Sequence, residues 1–276
     1  MFLLYNSNIL QDTDYQIFAN DRAFQYGDGL FETIRYEQSQ VWFWPDHYAR
    51  LTAGMKALHL TLPDNLSEAS TYQHITDLLR TNELTGQPAR IKIQVWRQTG
   101  GLYTPTTNYA NILITAQPGG PFAITERAIV GILEAIRLHV SPYSAFKTLS
   151  SLPYVMAGIA KKERGLDDVI LLNVNPEDYL AECLASNLFW FDKGVLYTPD
   201  IETGCVDGIM RQQILRKAKT VGQSVNIGFH RLASLSSAEA VFCCNVNGIQ
   251  WIRSIEGIGL YPAGHDRASS LFTGLL

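Results

Sequence analysis

Residues 117–121 read Gln117-Pro118-Gly119-Gly120-Pro121, and no other stretch breaks regular structure so firmly. The two prolines fix φ and remove backbone donors, while the two glycines leave the backbone free to turn, so neither a helix nor a central strand can run through. A chain of 276 residues lies above the usual single-domain size, and this break divides it into two segments, each long enough to bury its own core. We place the domain boundary there, giving residues 1–118 and 119–276.

The two sides carry different patterns. Over residues 45–62, Tyr48, Leu51, Met55 and Leu58 recur at three- and four-residue spacing, with Pro45 suited to a first turn and Pro63 just past the end, which predicts an amphipathic helix. A second helical pattern covers about 66–84. Ala89, Ile91, Ile93 and Val95 then alternate with Arg90, Lys92 and Gln94 in strand period, and residues 111–116 read as the partner strand. Beyond the break, strand-like runs at 169–174, 187–191 and 240–244 interleave with helical patterns at 152–164 and 209–221. There is no internal repeat, heptad or low-complexity tract, so the fold class is α+β or mixed α/β.

Composition excludes several classes of function. With 46% apolar and 17% charged residues, the chain reads as an ordinary folded globular protein. The formal net charge is −4 and no basic run exceeds the Lys161-Lys162 pair, so nucleic acid and anionic lipid have nothing to grip. A small-molecule partner is expected instead. Cys183, Cys205, Cys243 and Cys244 show no C-x-x-C spacing and read as reduced, small apolar residues. His47, His59, His74, His139, His230 and His265 are scattered without an H-E-x-x-H cluster, so no metal site is expected. The N-terminus lacks a basic region followed by an apolar one, and no apolar run reaches membrane-spanning length, from which a cytoplasmic location follows.

Four features carry possible chemistry. Between Arg137 and Lys161 the only formally charged side chain is Lys147. A lysine that attacks an aldehyde must be neutral, and apolar surroundings favour the neutral amine; a stem that packs while its amine reaches water is the ordinary alternative. Residues 203–211, Thr-Gly-Cys-Val-Asp-Gly-Ile-Met-Arg, run into a helical pattern, and the free N–H groups of a helix start bind phosphate. The spacing fits neither the P-loop nor the dinucleotide fingerprint. A plain capped helix is the alternative there. Glu182 sits in an apolar stretch where a buried carboxylate needs a partner, and Arg50 lies on the first predicted helix, facing either a phosphate or solvent.

In chain order, the run from Asp21 through Tyr26-Gly27-Asp28-Gly29 to Glu32-Thr33, then His47-x-x-Arg50-Leu51, Phe146-Lys147, Glu182-x-x-x-x-Asn187-Leu188-Phe189 and Gly208-Ile209-Met210-Arg211 resemble the class IV aminotransferase family over nearly the whole chain. The resemblance implies a two-domain pyridoxal-phosphate fold of type IV, with a smaller N-terminal α/β domain, a larger C-terminal cofactor-binding domain, pyridoxal 5'-phosphate between them and a homodimer. It implies that Lys147 carries the cofactor as a Schiff base and shuttles protons. It implies further that Glu182 pairs with the pyridine nitrogen and that Arg50, Gly208, Ile209, Met210 and Asn245 bind the cofactor around its phosphate.

Within the family, the branched-chain enzymes carry a tyrosine five residues after the lysine, where this chain has Leu152. The D-amino-acid enzymes carry an Arg-x-His pair where it has Arg97-Gln98-Thr99. The aminodeoxychorismate lyases are similar in Arg97-x-x-Gly100-Gly101-x-Tyr103, in Glu182-Cys183-x-Ala185-x-Asn187 and in Cys244-Asn245, although Leu102 stands where they often have arginine. The implied activity is a lyase of folate biosynthesis, with Tyr26, Arg97 and Tyr103 toward the substrate. An aminotransferase acting on branched-chain or D-amino acids is the alternative, and a non-catalytic scaffold of the same fold the remote one.

Overall fold

The computed structural model describes residues 1–63, 66–175 and 177–275. The chain forms two compact units, one of Met1–Pro121 with Phe146–Ser151 and one of Phe122–Ala145 with Leu152–Leu276. Helix and sheet are mixed in both, as the patterning predicts.

The first unit holds β1 (Phe2–Tyr5), β2 (Asn8–Gln11), α1 (Arg22–Tyr26), β3 (Gly29–Glu37), β4 (Gln40–Val41), α2 (Trp44–Ala57), α3 (Glu68–Thr81), β5 (Ala89–Arg97) and β6 (Ala110–Pro118). Its strands make one antiparallel sheet in the order β2-β1-β6-β5-β3-β4. The alternation in β5 is the signature of a sheet with one face on a core: Ala89, Ile91, Ile93 and Val95 pack with Leu51 and Met55 of α2 and Ile75, Leu78 and Leu79 of α3. Ser67 starts α3 by accepting from the Ser70 amide. α2 is shorter than the predicted 45–62. Its apolar spacing continues through Leu58, but the Leu58 amide closes onto Gly54 and His59 turns to a φ of 54°, which ends the helix. The chain then runs extended, with the Thr61 amide donating to the Asn108 carbonyl.

The second unit holds β7 (Ala123–Arg127), β8 (Val130–Leu138), α4 (Leu152–Glu163), β9 (Asp168–Asn173), β10 (Leu180–Cys183), β11 (Asn187–Asp192), β12 (Val195–Pro199) and α5 (Ile209–Thr220). It continues through β13 (Val225–Gly228), β14 (Ala240–Asn245), β15 (Gly248–Ile252), β16 (Ser254–Ile255), β17 (Gly259–Leu260) and α6 (Ala268–Phe272). Two sheets form, ordered β10-β9-β8-β16-β17 and β13-β12-β11-β14-β15-β7. Residues of both make one core, in which Ile170, Leu172, Leu180 and Cys183 cluster with Leu188, Trp190, Val241 and Cys243. β9 is buried along its whole length, and β11 and β14 along all but their last residue. Strands covered on both faces read as continuous apolar runs rather than alternating ones.

All four cysteines are buried and free of disulfides. Among the described residues, no helix is long and apolar enough to cross a membrane.

Candidate functional site

Lys147 lies in the short segment that the chain contributes to the first unit. Its carbonyl accepts from the Phe31 amide at 2.7 Å and the Leu149 amide donates to the Gly29 carbonyl at 2.9 Å, so residues 147–149 pair with the start of β3 like a one-bridge strand. Two glycines of the unit make room for this segment. Gly27, with φ of 63°, has the Ser150 backbone where a side chain would stand, and at Gly54 on α2 a side chain would crowd Leu30 and Phe146. The backbone of Lys147 is therefore fixed while its side chain stands half-buried over Phe31, the amine 4.7 Å from the ring centroid.

Arg50 is buried rather than solvated, its side chain 8% exposed, in a cluster the sequence did not reveal. Its Nε and Nη2 donate to the two carboxylate oxygens of Glu32 at 2.7 and 2.6 Å, and His47 Nδ1 lies 2.7 Å from Glu32 Oε2. His47 and Arg50 are three residues apart on α2 and so share a face, opposite a carboxylate presented by β3. Burial pushes the Glu32 carboxyl up, but the Arg50 charge and the hydrogen bonds from His47 and Arg50 outweigh it and hold it below the usual carboxylate range. The i,i+3 pair His47-x-x-Arg50, facing an acid in the otherwise apolar start of β3, is the signal that points to this cluster.

In the second unit Glu182 is buried on β10. Its Oε1 accepts from the Tyr154 hydroxyl at 2.7 Å, and its Oε2 from the Val206 amide at 3.2 Å and the Asn187 carboxamide at 3.5 Å. Burial and the neighbouring carboxylate push the Tyr154 phenol far up, so it stays a donor. The Val206 carbonyl accepts from Asn187 Nδ2 and from the Gly208 amide, which ties Glu182 to the start of α5. Gly208 is the N-cap of α5 and supplies no side-chain acceptor to the first-turn amides of Ile209 and Met210. A side chain there would run into the Asn187 carboxamide oxygen. Arg211 turns back to Asp207 and the Pro199 carbonyl. Asn245, at the end of β14, donates to the Ala185 carbonyl and Ser186 hydroxyl and accepts from the Asn247 amide.

Tyr26, Arg97 and Tyr103 line one pocket of about 420 Å³ in the first unit, together with Arg22, Asp28 and Pro105. The five N–H groups of Arg97 meet Asp28 twice, the Leu58 and His59 carbonyls and Asn108, so it shapes the wall by fixing these neighbours. Arg22 bonds Asp28 and the carbonyls of Gly100, Gly101 and Leu102, holding the loop that carries Tyr103. Tyr103 is 89% exposed, and its ring meets that of Tyr26 at 5.7 Å. One further grouping was not legible in the sequence: donor atoms of Asp168, Cys183 and Cys243 lie within 4.8 Å of one another, with the Cys183 thiol held protonated by its bond to Cys243 and by burial.

Comparison with known proteins bears on this arrangement. Residues 29–255 match the family model described as Amino-transferase class IV. The aminodeoxychorismate lyase of Vibrio harveyi is 29% identical over 231 residues, covering 82% of each protein. Among solved structures, the branched-chain amino acid aminotransferase of Escherichia coli superposes with a TM-score of 0.87 at 24% identity, covering 98% of this chain and 92% of that one. A putative 4-amino-4-deoxychorismate lyase from Legionella pneumophila gives 0.86 at 23% identity, covering 96% and 97%. These last two establish the fold alone.

Proposed function

The chain belongs to the class IV aminotransferase family and is a pyridoxal-phosphate-dependent enzyme, and from that premise we propose that it is a lyase converting 4-amino-4-deoxychorismate to 4-aminobenzoate and pyruvate. The observation that carries this reading is Leu152, 65% exposed at the first residue of α4, where the branched-chain enzymes that the chain resembles carry a tyrosine. Thr99, in place of the D-amino-acid enzymes' histidine, points the same way. Similarity to the Vibrio harveyi lyase supports it.

The residues present suit the cofactor. Lys147 would carry it, Glu182 would pair with its ring nitrogen, and Arg50, Gly208, Ile209, Met210 and Asn245 would serve its phosphate. When bound, the cofactor supplies an electron sink for the bond broken beside the substrate amine. A buried carboxylate that already accepts hydrogen bonds is a suitable partner for a protonated ring nitrogen. An uncapped start of a 12-residue helix and a buried guanidinium are the right partners for a phosphate. In the lyase reaction the Lys147 amine would remove the ring proton beside the substrate amine, the ring-carbon–oxygen bond to the enolpyruvyl group would break as the ring becomes aromatic, and a proton would pass to the departing enolpyruvate to give pyruvate. Tyr26 and Tyr103, with the wall fixed by Arg97, shape the substrate side.

The test supplies aminodeoxychorismate and, separately, L- and D-amino acids with 2-oxoglutarate or pyruvate, and compares kcat/KM. The lyase reading expects 4-aminobenzoate and pyruvate to form, and Lys147→Ala to abolish their formation. Rapid glutamate or alanine formation without 4-aminobenzoate would install the aminotransferase reading in its place.

A homodimer completes the proposal. Leu152, Val155, Met156 and Ile159 are all exposed at the 0, 3, 4, 7 spacing of one α4 face, an apolar stripe that a second copy would cover. Light scattering of the active enzyme should give twice the chain mass, and an active monomer would refute it.

A further inference from the structure

Glu182 has a donor that the reading above does not use. Tyr154 stands in the first turn of α4, and its hydroxyl approaches Glu182 at 2.7 Å, nearer than the Val206 amide at 3.2 Å or the Asn187 carboxamide at 3.5 Å. A neutral donor on a buried carboxylate favours the ionised form and aims its oxygens, and the shortest bond contributes most. Burial and Glu182 itself keep the phenol protonated, so the donation persists across the working pH range.

We propose that Tyr154 is a positioning residue for Glu182, orienting its carboxylate and lowering its proton affinity so that the proton they share stays on the cofactor's ring nitrogen. The proposal rests on the assignment of Glu182 to that nitrogen. Without the hydroxyl, Glu182 holds the proton more tightly and the ring nitrogen gives it up. The bond-breaking step slows, while binding of the substrate amine is untouched.

The experiment uses holoenzyme reconstituted with cofactor carrying ¹⁵N in its ring. In Tyr154→Phe the ring-nitrogen resonance should move toward that of unprotonated pyridine. kcat should fall about 10- to 100-fold, the range expected when a bond to a charged group is lost, with KM unchanged. Tyr154→Phe added to Glu182→Gln should bring no further loss, because the group it acts through is gone. A 3-fluorotyrosine at position 154, a stronger donor of nearly the same shape, should move the resonance the other way, and this arm stands even if the phenylalanine variant does not fold.

Three results would overturn the proposal. If Glu182→Gln moves the resonance while both Tyr154 variants leave it in place, Tyr154 has no such role and Glu182 keeps its own. If Tyr154→Phe lowers kcat equally with and without Glu182, the tyrosine is merely structural. If Glu182→Gln leaves the resonance and kcat unchanged, the assignment of Glu182 fails and the role of Tyr154 fails with it.

Discussion

Two buried glutamates, one in each unit, are held in opposite ways. Glu32 accepts from two basic side chains, Arg50 and His47, whereas a phenol, a backbone amide and a carboxamide donate to Glu182. A cationic partner cancels a carboxylate's charge and is locked by it in return; neutral donors stabilise the charge without cancelling it. The difference assigns different work to the same residue type. Glu32 fixes the direction of a guanidinium, and Glu182 gathers neutral donors in a buried place.

The sharpest way to break this contrast is Glu32→Gln. It leaves Arg50 buried beside a neutral amide, and removal of one member of a buried ion pair should destabilise the fold by about 3–5 kcal/mol in urea unfolding. The pH dependence has a definite sign. The Glu32 carboxyl is held below its unfolded value of about 4.3, so its stabilisation is fully present above that pH and fades as pH falls through the lowered folded value. The gap between wild type and Glu32→Gln should therefore be widest near neutrality and close in acid. A gap that stays constant down to pH 3 would mean that the ion pair contributes nothing.

Glu182→Gln sharpens the other side. An amide keeps the size and can still accept from Tyr154, but it carries no charge, so the fold should hold while turnover falls about 10²- to 10³-fold, the range for losing one preorganised electrostatic partner. Steady-state kinetics with cofactor binding measured in parallel would read it, and unchanged kcat would remove Glu182 from the chemistry.

The smallest effect is expected at Gly208→Ala, where the new methyl meets the Asn187 carboxamide and disturbs the tie from Val206 to Glu182. Its φ of −66° suits alanine, so the penalty is steric, about 1–3 kcal/mol. Thermal unfolding and cofactor affinity should both weaken, and a variant indistinguishable from wild type would show that the α5 start is looser than its packing implies.

Legibility followed physical simplicity. β5 announced itself because one face is buried and the other is not, and Lys147 because no other formally charged residue stands between Arg137 and Lys161. β8 escaped, since its run Val-Gly-Ile-Leu-Glu-Ala-Ile-Arg-Leu neither alternates nor pairs regularly, its register with β9 shifting between Leu133 and Arg137. The end of α2 escaped because Leu58 keeps the helical spacing while a left-handed His59 stops the helix. Tyr154 escaped altogether: nothing local in Leu-Pro-Tyr-Val says that the phenol meets a carboxylate presented by β10.

The bonds from Phe31 and Leu149 that stitch the Lys147 segment to β3 also set an order of events. Gly29 and Phe31 are synthesised before their partners, which follow only after β7 and β8 have been made. Chains generally fold from the N-terminus as they emerge, yet here the unit that begins first cannot finish until residues of the later unit have passed the ribosome. A nascent chain halted at Pro121 would carry β3 with the Phe31 amide and Gly29 carbonyl still waiting, and the long closure that fills them comes only after β8. Timing thus joins chemistry in the placement of this lysine.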